Sequence, residues 1–283
     1  MTASVDTRKD ADTGGDDQST SFVEGEVDTE AEDSLTAQTQ RTERIRLLVQ
    51  PVVVVVVVAA VLIWAFGIHT ITATESATLN FATITSETWT HVKITATVTA
   101  IVLAVAIPLG ILLTRPATKR LAPIFIGIAN IGASAPAIGL LVLYYLITSN
   151  TGFWTGVLPI ALYSLLPVLR NTILGFDEVA DNLIDAGKGQ GMSGWTILRR
   201  VEFPLAVPYI LAGLRTTLVL AVGTATLSFL VGAGGLGVLI DTGYKINRPA
   251  ILIVGAVLTV ALALLVDWLG ALAEQYLGPK GLR

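Results

Sequence analysis

Gly232, Gly234 and Gly237 satisfy a Gly-x-Gly-x-x-Gly pattern, the spacing that lets backbone N–H groups approach a dinucleotide pyrophosphate. That chemistry needs a strand before the glycines and a helix after them. Here they follow an apolar run from about Val207 to Val231, so they read as a tight turn ending a membrane span, and with Gly235 as a candidate gate. A phosphate-binding Gly-x4-Gly-Lys-Ser/Thr loop is also missing from the sequence, because the single Gly-Lys pair, Gly187-Lys188, runs on to Gly189. The chain therefore does not hydrolyse ATP through such a loop. With no cysteine, disulfides, thiolate catalysis and cysteine metal sites are excluded. His69 and His91 are the two imidazoles, 22 residues apart in loop and helix end without ligand spacing, so no metal site is expected.

Four charges fall in or beside apolar segments, where an ion or proton path would place them: Arg170, Arg215, Asp267 and Glu274. All lie near inner helix ends in the topology below, which favours anchors that reach headgroups or water. Tyr144, Tyr145 and Trp154 offer aromatic faces to a quaternary ammonium, but their closeness to an outer loop favours an interfacial belt. The stretch Asn130 to Pro136, with Ser134 between, sets small and polar residues and a proline in mid-span. It reads equally as a broken helix lining a pathway or as close helix packing.

The elements that position these residues follow from composition. Of 283 residues, 53% are hydrophobic and 14% charged, too apolar for an ordinary soluble domain of this length. Eleven of the 22 acids fall in residues 1–40 against Arg8 and Lys9 alone. The low pI thus belongs to an acidic segment, 1–45, that is expected to be disordered and cytoplasmic, since it has too little apolar surface to offset ordering entropy. It is not a signal peptide, because acids rather than bases precede the first apolar stretch. From residue 46 to 277 the chain reads as all-α and membrane-spanning. The first span, Leu47 to Ile68, has no charge and holds seven consecutive valines, yet helix is expected, because a lone strand in lipid leaves its backbone unpaired. Further spans fall at Ile94–Thr114, at two helices split from Leu121–Leu169 by the turn Ser149–Gly152, at Val207–Val231 and at Pro249–Tyr276, six in all. The outer segments of this arrangement hold only Lys93, Lys245 and Arg248 of the 18 basic residues. Both termini, including the short segment 278–283, are therefore expected in the cytoplasm of a multi-pass membrane protein.

Between spans four and five lies a cytoplasmic loop, 177–204, that ends IDAGKGQGMSGWTILRRVEFPLAVP over residues 184–208. Physically this is a short helix, a turn opened by Gly191 and Gly194, and a second helix carrying Trp195, Ile197, Leu198 and Val201. Asp185-Ala186-Gly187, three residues, Gly191, nine residues, then Val201-Glu202-Phe203-Pro204 resembles the EAA loop of binding-protein-dependent ABC importer permeases. The family pattern is Glu-Ala-Ala, three residues, Gly, nine residues, Ile-x-Leu-Pro. Asp185, Gly187, Val201 and Phe203 depart from it in type but not in spacing. Residues 165–176, LLPVLRNTILGF, and 222–237, VGTATLSFLVGAGGLG, resemble the permeases of glycine betaine, carnitine, choline and proline uptake, in which Gly at the Gly187 position is usual. This likeness runs from about Thr88 to Tyr244.

The resemblance implies a type I ABC importer permease whose Asp185, Ala186, Gly187, Gly191, Val201 and Pro204 couple it to an ATPase subunit. It further implies a second permease copy or paralogue, a separate extracytoplasmic substrate-binding protein, and ATP and Mg bound on the ATPase rather than on this chain. No nucleic-acid partner is expected. Rival readings are an ion-gradient-driven secondary transporter or channel, a membrane anchor for a cytoplasmic partner and, within ABC importers, a methionine or sulfonate permease.

Overall fold

Residues 47–68 and 70–277 are described by the computed structural model. The expectations for the acidic segment 1–45, for His69 and for 278–283 lie outside the described residues. Among those described, every element is helical. Helix α1, Leu47–Gly67, is apolar enough to cross a membrane. Its valines are poor helix formers in water, but a helix satisfies every backbone group internally where water is absent.

After α2, Ala73–Thr78, the chain enters α3, Phe81–Leu113, which is capped by Asn80 accepting from Thr83 N at 2.9 Å. It starts thirteen residues before the expected Ile94. Glu87, His91 and Lys93, which suggest a loop and helix end in sequence, lie within it. Helices α4, Ala122–Ser134, and α5, Ala137–Thr148, meet at 101°. Pro136 causes the break, since it holds Ala135 in an extended conformation and supplies no N–H to continue the ladder. Helices α6, Phe153–Tyr163, and α7, Leu165–Asp177, bend by 41° around Ser164.

Next come α8, Asp181–Gly189, and α9, Gly194–Ile197, which widens through a π-turn, Leu198–Glu202, into α10, Phe203–Ala225. A 3-10 turn, Thr226–Val231, then leads to a helix not expected from the sequence, α11, Gly237–Lys245, and finally to α12, Pro249–Leu277. Among the described residues four helices are long and apolar enough to span, and the number reaches six when each bent pair is taken as one span. That agrees with the number expected.

The main core forms where α3 meets α6, α7 and α10: Ile94, Val98, Val102 and Ala106 pack with Val157, Ile160, Val168, Leu169, Ala221 and Ala225. A second cluster joins Ala65 and Leu79 to Leu236 and Leu239 of the α11 region and to Ile251 and Val254 of α12. Charge placement corrects one expectation. Rather than reaching individually for water, Arg215 on α10 pairs with Asp267 at 2.6 Å and Glu274 at 3.5 Å on α12. Two spans separated in sequence are thereby tied.

Candidate functional site

At one end of α10 the helix-turn-helix is built as its spacing suggests. Gly191 reverses the chain with φ +78°, and its N–H donates to the Lys188 carbonyl at 2.9 Å. Only glycine holds such a φ without strain. Ser193 then caps α9 by accepting from Thr196 N at 3.3 Å. Gly194 is the first residue of α9 rather than part of the turn. Gly187 is buried where the two helices cross, and a β-carbon there would lie 3.2 Å from Ile197 Cγ1.

Asp185 stands mid-helix and exposed, not at the first turn as a cap would, and its carboxylate accepts from Lys188 Nζ at 2.9 Å. That bond holds the Lys188 ammonium above the usual lysine range. Ala186 is exposed beside it, Val201 is half-buried, and Pro204 is the second residue of α10, directly after the π-turn. Trp195 presents 71% of its surface and Leu183 45%.

Sequence reasoning missed what fixes this hairpin to the bundle. Glu202, the unspecified residue of Val-x-Phe-Pro, is buried and receives both guanidinium nitrogens of Arg115 just beyond α3, Nη1 to Oε1 at 3.1 Å and Nη2 to Oε2. Arg115 also lies over the Phe176 ring at 5.8 Å, and Lys119 pairs with Asp177 at 2.9 Å. In the sequence these basic residues count only toward topology. Their pairing spans up to 87 residues, so no local signal marks it.

About 35 Å further along α10, taking ~1.5 Å per residue, the glycine turn closes. Gly232, Gly234 and Gly235 have φ of +72°, +82° and +95°. Gly237 opens α11 against the Thr226 carbonyl, where a β-carbon has no room. Two side chains of α3 hold this turn. Glu87 Oε2 accepts from Gly235 N at 2.7 Å, and His91 Nδ1 accepts from Leu236 N at 3.2 Å. The other ring nitrogen of His91 lies 3.0 Å from the Val222 carbonyl, and the residue is fully buried. Ser228 Oγ is 2.7 Å from the Gly234 carbonyl, and Gly152 N donates to the Val231 carbonyl at 2.7 Å.

The candidate pathway residues divide into two places. Asn130 Oδ1 accepts from Arg170 Nη2 at 3.3 Å, and Ser134 and Pro136 are exposed at the α4–α5 break. The atoms closest to a β-carbon at the turn's glycines belong instead to α3, to Thr151–Gly152 and to Thr226–Phe229. Tyr145 and Trp154 are exposed near the α5–α6 turn, with Trp154 edge-on to Phe153 at 5.5 Å. A cavity of about 270 Å³ between α1 and α12 is lined by valine, alanine and Leu264 side chains. It offers no polar group to orient a solute.

Comparison with known proteins places this architecture. Residues 106–277 match the model of the family described as binding-protein-dependent transport system inner membrane component. The glycine betaine/carnitine/choline transport system permease protein OpuCB of Bacillus subtilis is 39% identical over 197 residues, 70% of this chain and 89% of that protein. The carnitine transport permease protein OpuCD of Listeria monocytogenes is 41% identical over 71% of this chain and 89% of its own length. The osmoprotectant import permease protein OsmW of Salmonella typhimurium is 37% identical over 72% and 96%. Among solved structures, an inward-facing conformation of the MetNI methionine ABC transporter aligns with a TM-score of 0.61 and 24% identity, over 71% of this chain and all of that one. That likeness is one of fold.

Proposed function

This chain belongs to the family of binding-protein-dependent transport system inner membrane components, and from that premise we propose that it is the permease subunit of an ATP-driven importer for a compatible solute such as glycine betaine, carnitine, choline or proline. The observation that carries the reading is identity of about 40% over some 70% of the chain to permeases named for such solutes. The chain is a permease and not an enzyme; ATP is hydrolysed by a separate subunit. A family defined by dependence on a binding protein gives no support to a self-contained ion-driven transporter, a channel or a bare anchor. The methionine transporter shares the fold at 24% identity and does not favour methionine as the solute.

In this reading both termini face the cytoplasm of a plasma or inner membrane. The hairpin around Asp185, Ala186, Gly187, Gly191, Val201 and Pro204 docks in a groove of the ATPase subunit, which carries ATP and Mg. A second permease, copy or paralogue, completes the pathway. An extracytoplasmic binding protein delivers the solute and sets most of the selectivity. The α4–α5 break at Asn130, Ser134 and Pro136 lines the path, and the turn of Gly232, Gly234, Gly235 and Gly237 gates it. The Arg115–Glu202 pair passes hairpin motion to α3, and α3 reaches the turn.

Uptake of radiolabelled glycine betaine by reconstituted vesicles tests this. It is expected to require ATP and the binding protein and to persist after ionophores collapse ion gradients. Uptake that stops with an ionophore while ATP is abundant overturns it.

A further inference from the structure

The N–H groups of Gly235 and Leu236 follow one another in a turn between helices, where neither has a helical carbonyl to use. Buried backbone donors must find acceptors. Both find side chains of α3 rather than backbone: the Glu87 carboxylate at 2.7 Å and His91 Nδ1 at 3.2 Å. The geometry also fixes the protonation of His91. Leu236 N–H only donates, so Nδ1 must be bare. The Val222 carbonyl, among the last four of α10, only accepts, so Nε2 at 3.0 Å carries the proton. One neutral ring thus bridges the end of α10 and the turn that follows it.

We propose that Glu87 and His91 are positioning residues that latch the Gly232–Gly237 turn closed across the solute path, an inference that rests on reading this turn as the gate. The turn is held in two different ways. Gly237 is held by close packing against Thr226, which cannot be exchanged for anything else. Gly235 and Leu236 are held to α3 by two hydrogen bonds that side chains accept, alongside the packing of the Leu236 side chain in the second cluster. The positive-φ glycines at 232, 234 and 235 let the backbone at Gly235 move once those bonds release. The latch stands on α3, whose far end is clamped to the hairpin by Arg115 and Glu202. A displacement of α3 acts directly on both acceptors.

The test uses the full complex of permease, ATPase and binding protein in vesicles. Glu87→Leu and His91→Phe remove the acceptors and keep apolar bulk. Glu87→Gln keeps an acceptor, and His91→Gln keeps both an acceptor and a donor. The readouts are ATP-independent efflux of preloaded radiolabelled glycine betaine and ATP-driven accumulation. The apolar variants are expected to raise efflux about tenfold and lower accumulation to a similar degree, while the Gln variants stay within about threefold of wild type. A merely structural tie would lower accumulation without leak. Assembled apolar variants that do not leak, or Gln variants that leak equally, overturn the latch. Should the apolar variants not assemble, amide hydrogen exchange in the wild-type complex decides. Gly235 and Leu236 are expected to exchange far more slowly than Gly191 at rest, and rapid exchange there overturns the proposal. Failure of the wild type to accumulate glycine betaine with ATP is a different result, which overturns the importer reading beneath it.

Discussion

Two glycine turns sit at the two ends of α10, and they use glycine for different reasons. At Gly191 the demand is conformational only: φ is +78°, and among the described residues nothing beyond its chain neighbours lies within 4 Å of where a β-carbon would go. At Gly237 the demand is spatial. Its φ is not in the left-handed region, but a β-carbon would collide with the Thr226 carbonyl and come within 2.9 Å of the Phe229 ring. Their surroundings differ in the same sense. The hairpin turns Asp185, Gly191 and Trp195 outward, while the glycine turn is packed against His91 and Leu236, both fully buried. A turn that is packed by its own chain is complete as it stands. One that leaves an aromatic side chain 71% exposed has apolar surface that its own chain does not cover.

The largest effect expected from this contrast is at the packed turn. Gly237→Ala adds a single carbon, yet it forces the Thr226 carbonyl and the start of α11 apart, an overpacking cost of roughly 1–3 kcal/mol or more. The purified permease should melt at a clearly lower temperature and be recovered in smaller amount. An unchanged melting temperature would mean that this turn is as loose as the hairpin, and the comparison would fail.

The next effect sharpens the comparison through size. Gly191→Ala and Gly191→Leu both place an L-residue in the left-handed region, at a strain of roughly 1–2 kcal/mol that does not depend on side-chain length. The two permeases should therefore melt alike in isolation. Within the complex they should differ, with Leu cutting binding-protein-stimulated ATP hydrolysis and uptake at least tenfold below Ala, because the extra bulk meets only the ATPase. Equal activities in the complex would remove Gly191 from the interface.

How much of this was legible in the sequence follows the distance over which each feature is encoded. The hairpin was readable because its determinants are local: helix, positive-φ glycine, Ser193 cap and α10 proline fall within some twenty residues. The break before α5 was readable because Pro136 acts on its immediate neighbours. The start of α3 was not, because Glu87, His91 and Lys93 carry polarity that reads as a loop until the partners of Glu87 and His91 are known. Those partners are 131 to 148 residues away. Arg215, Asp267 and Glu274 were misread for the same reason, each appearing as a lone charge at a helix end when in fact they pair across α10 and α12. Gly237 was read as the end of a span, although it opens a further helix, because α11 is short and lies against α12 through the tight approach of Gly255 to Leu239 rather than through any pattern of its own.

The smallest effect on the permease itself is expected at Asp185, and it separates stability from coupling most cleanly. Its carboxylate is exposed and, among the described residues, engaged by Lys188 alone, three residues on and also exposed. Such surface pairs contribute little to folding. Asp185→Lys breaks the pair and places like charges one turn apart in full solvent, a small penalty, so melting temperature and membrane insertion should hardly change. Docking responds differently, because a carboxylate covered by the ATPase must be matched by a cation or donor there, and a lysine in its place buries an unmatched charge. The expected result is a well-folded permease whose binding-protein-stimulated ATP hydrolysis falls about tenfold, and whose activity returns in part when an acidic residue is placed at the facing position of the ATPase. Wild-type coupling by Asp185→Lys would show that this carboxylate stays in water throughout the cycle, leaving the apolar face of Trp195 and Leu183 as what the partner covers.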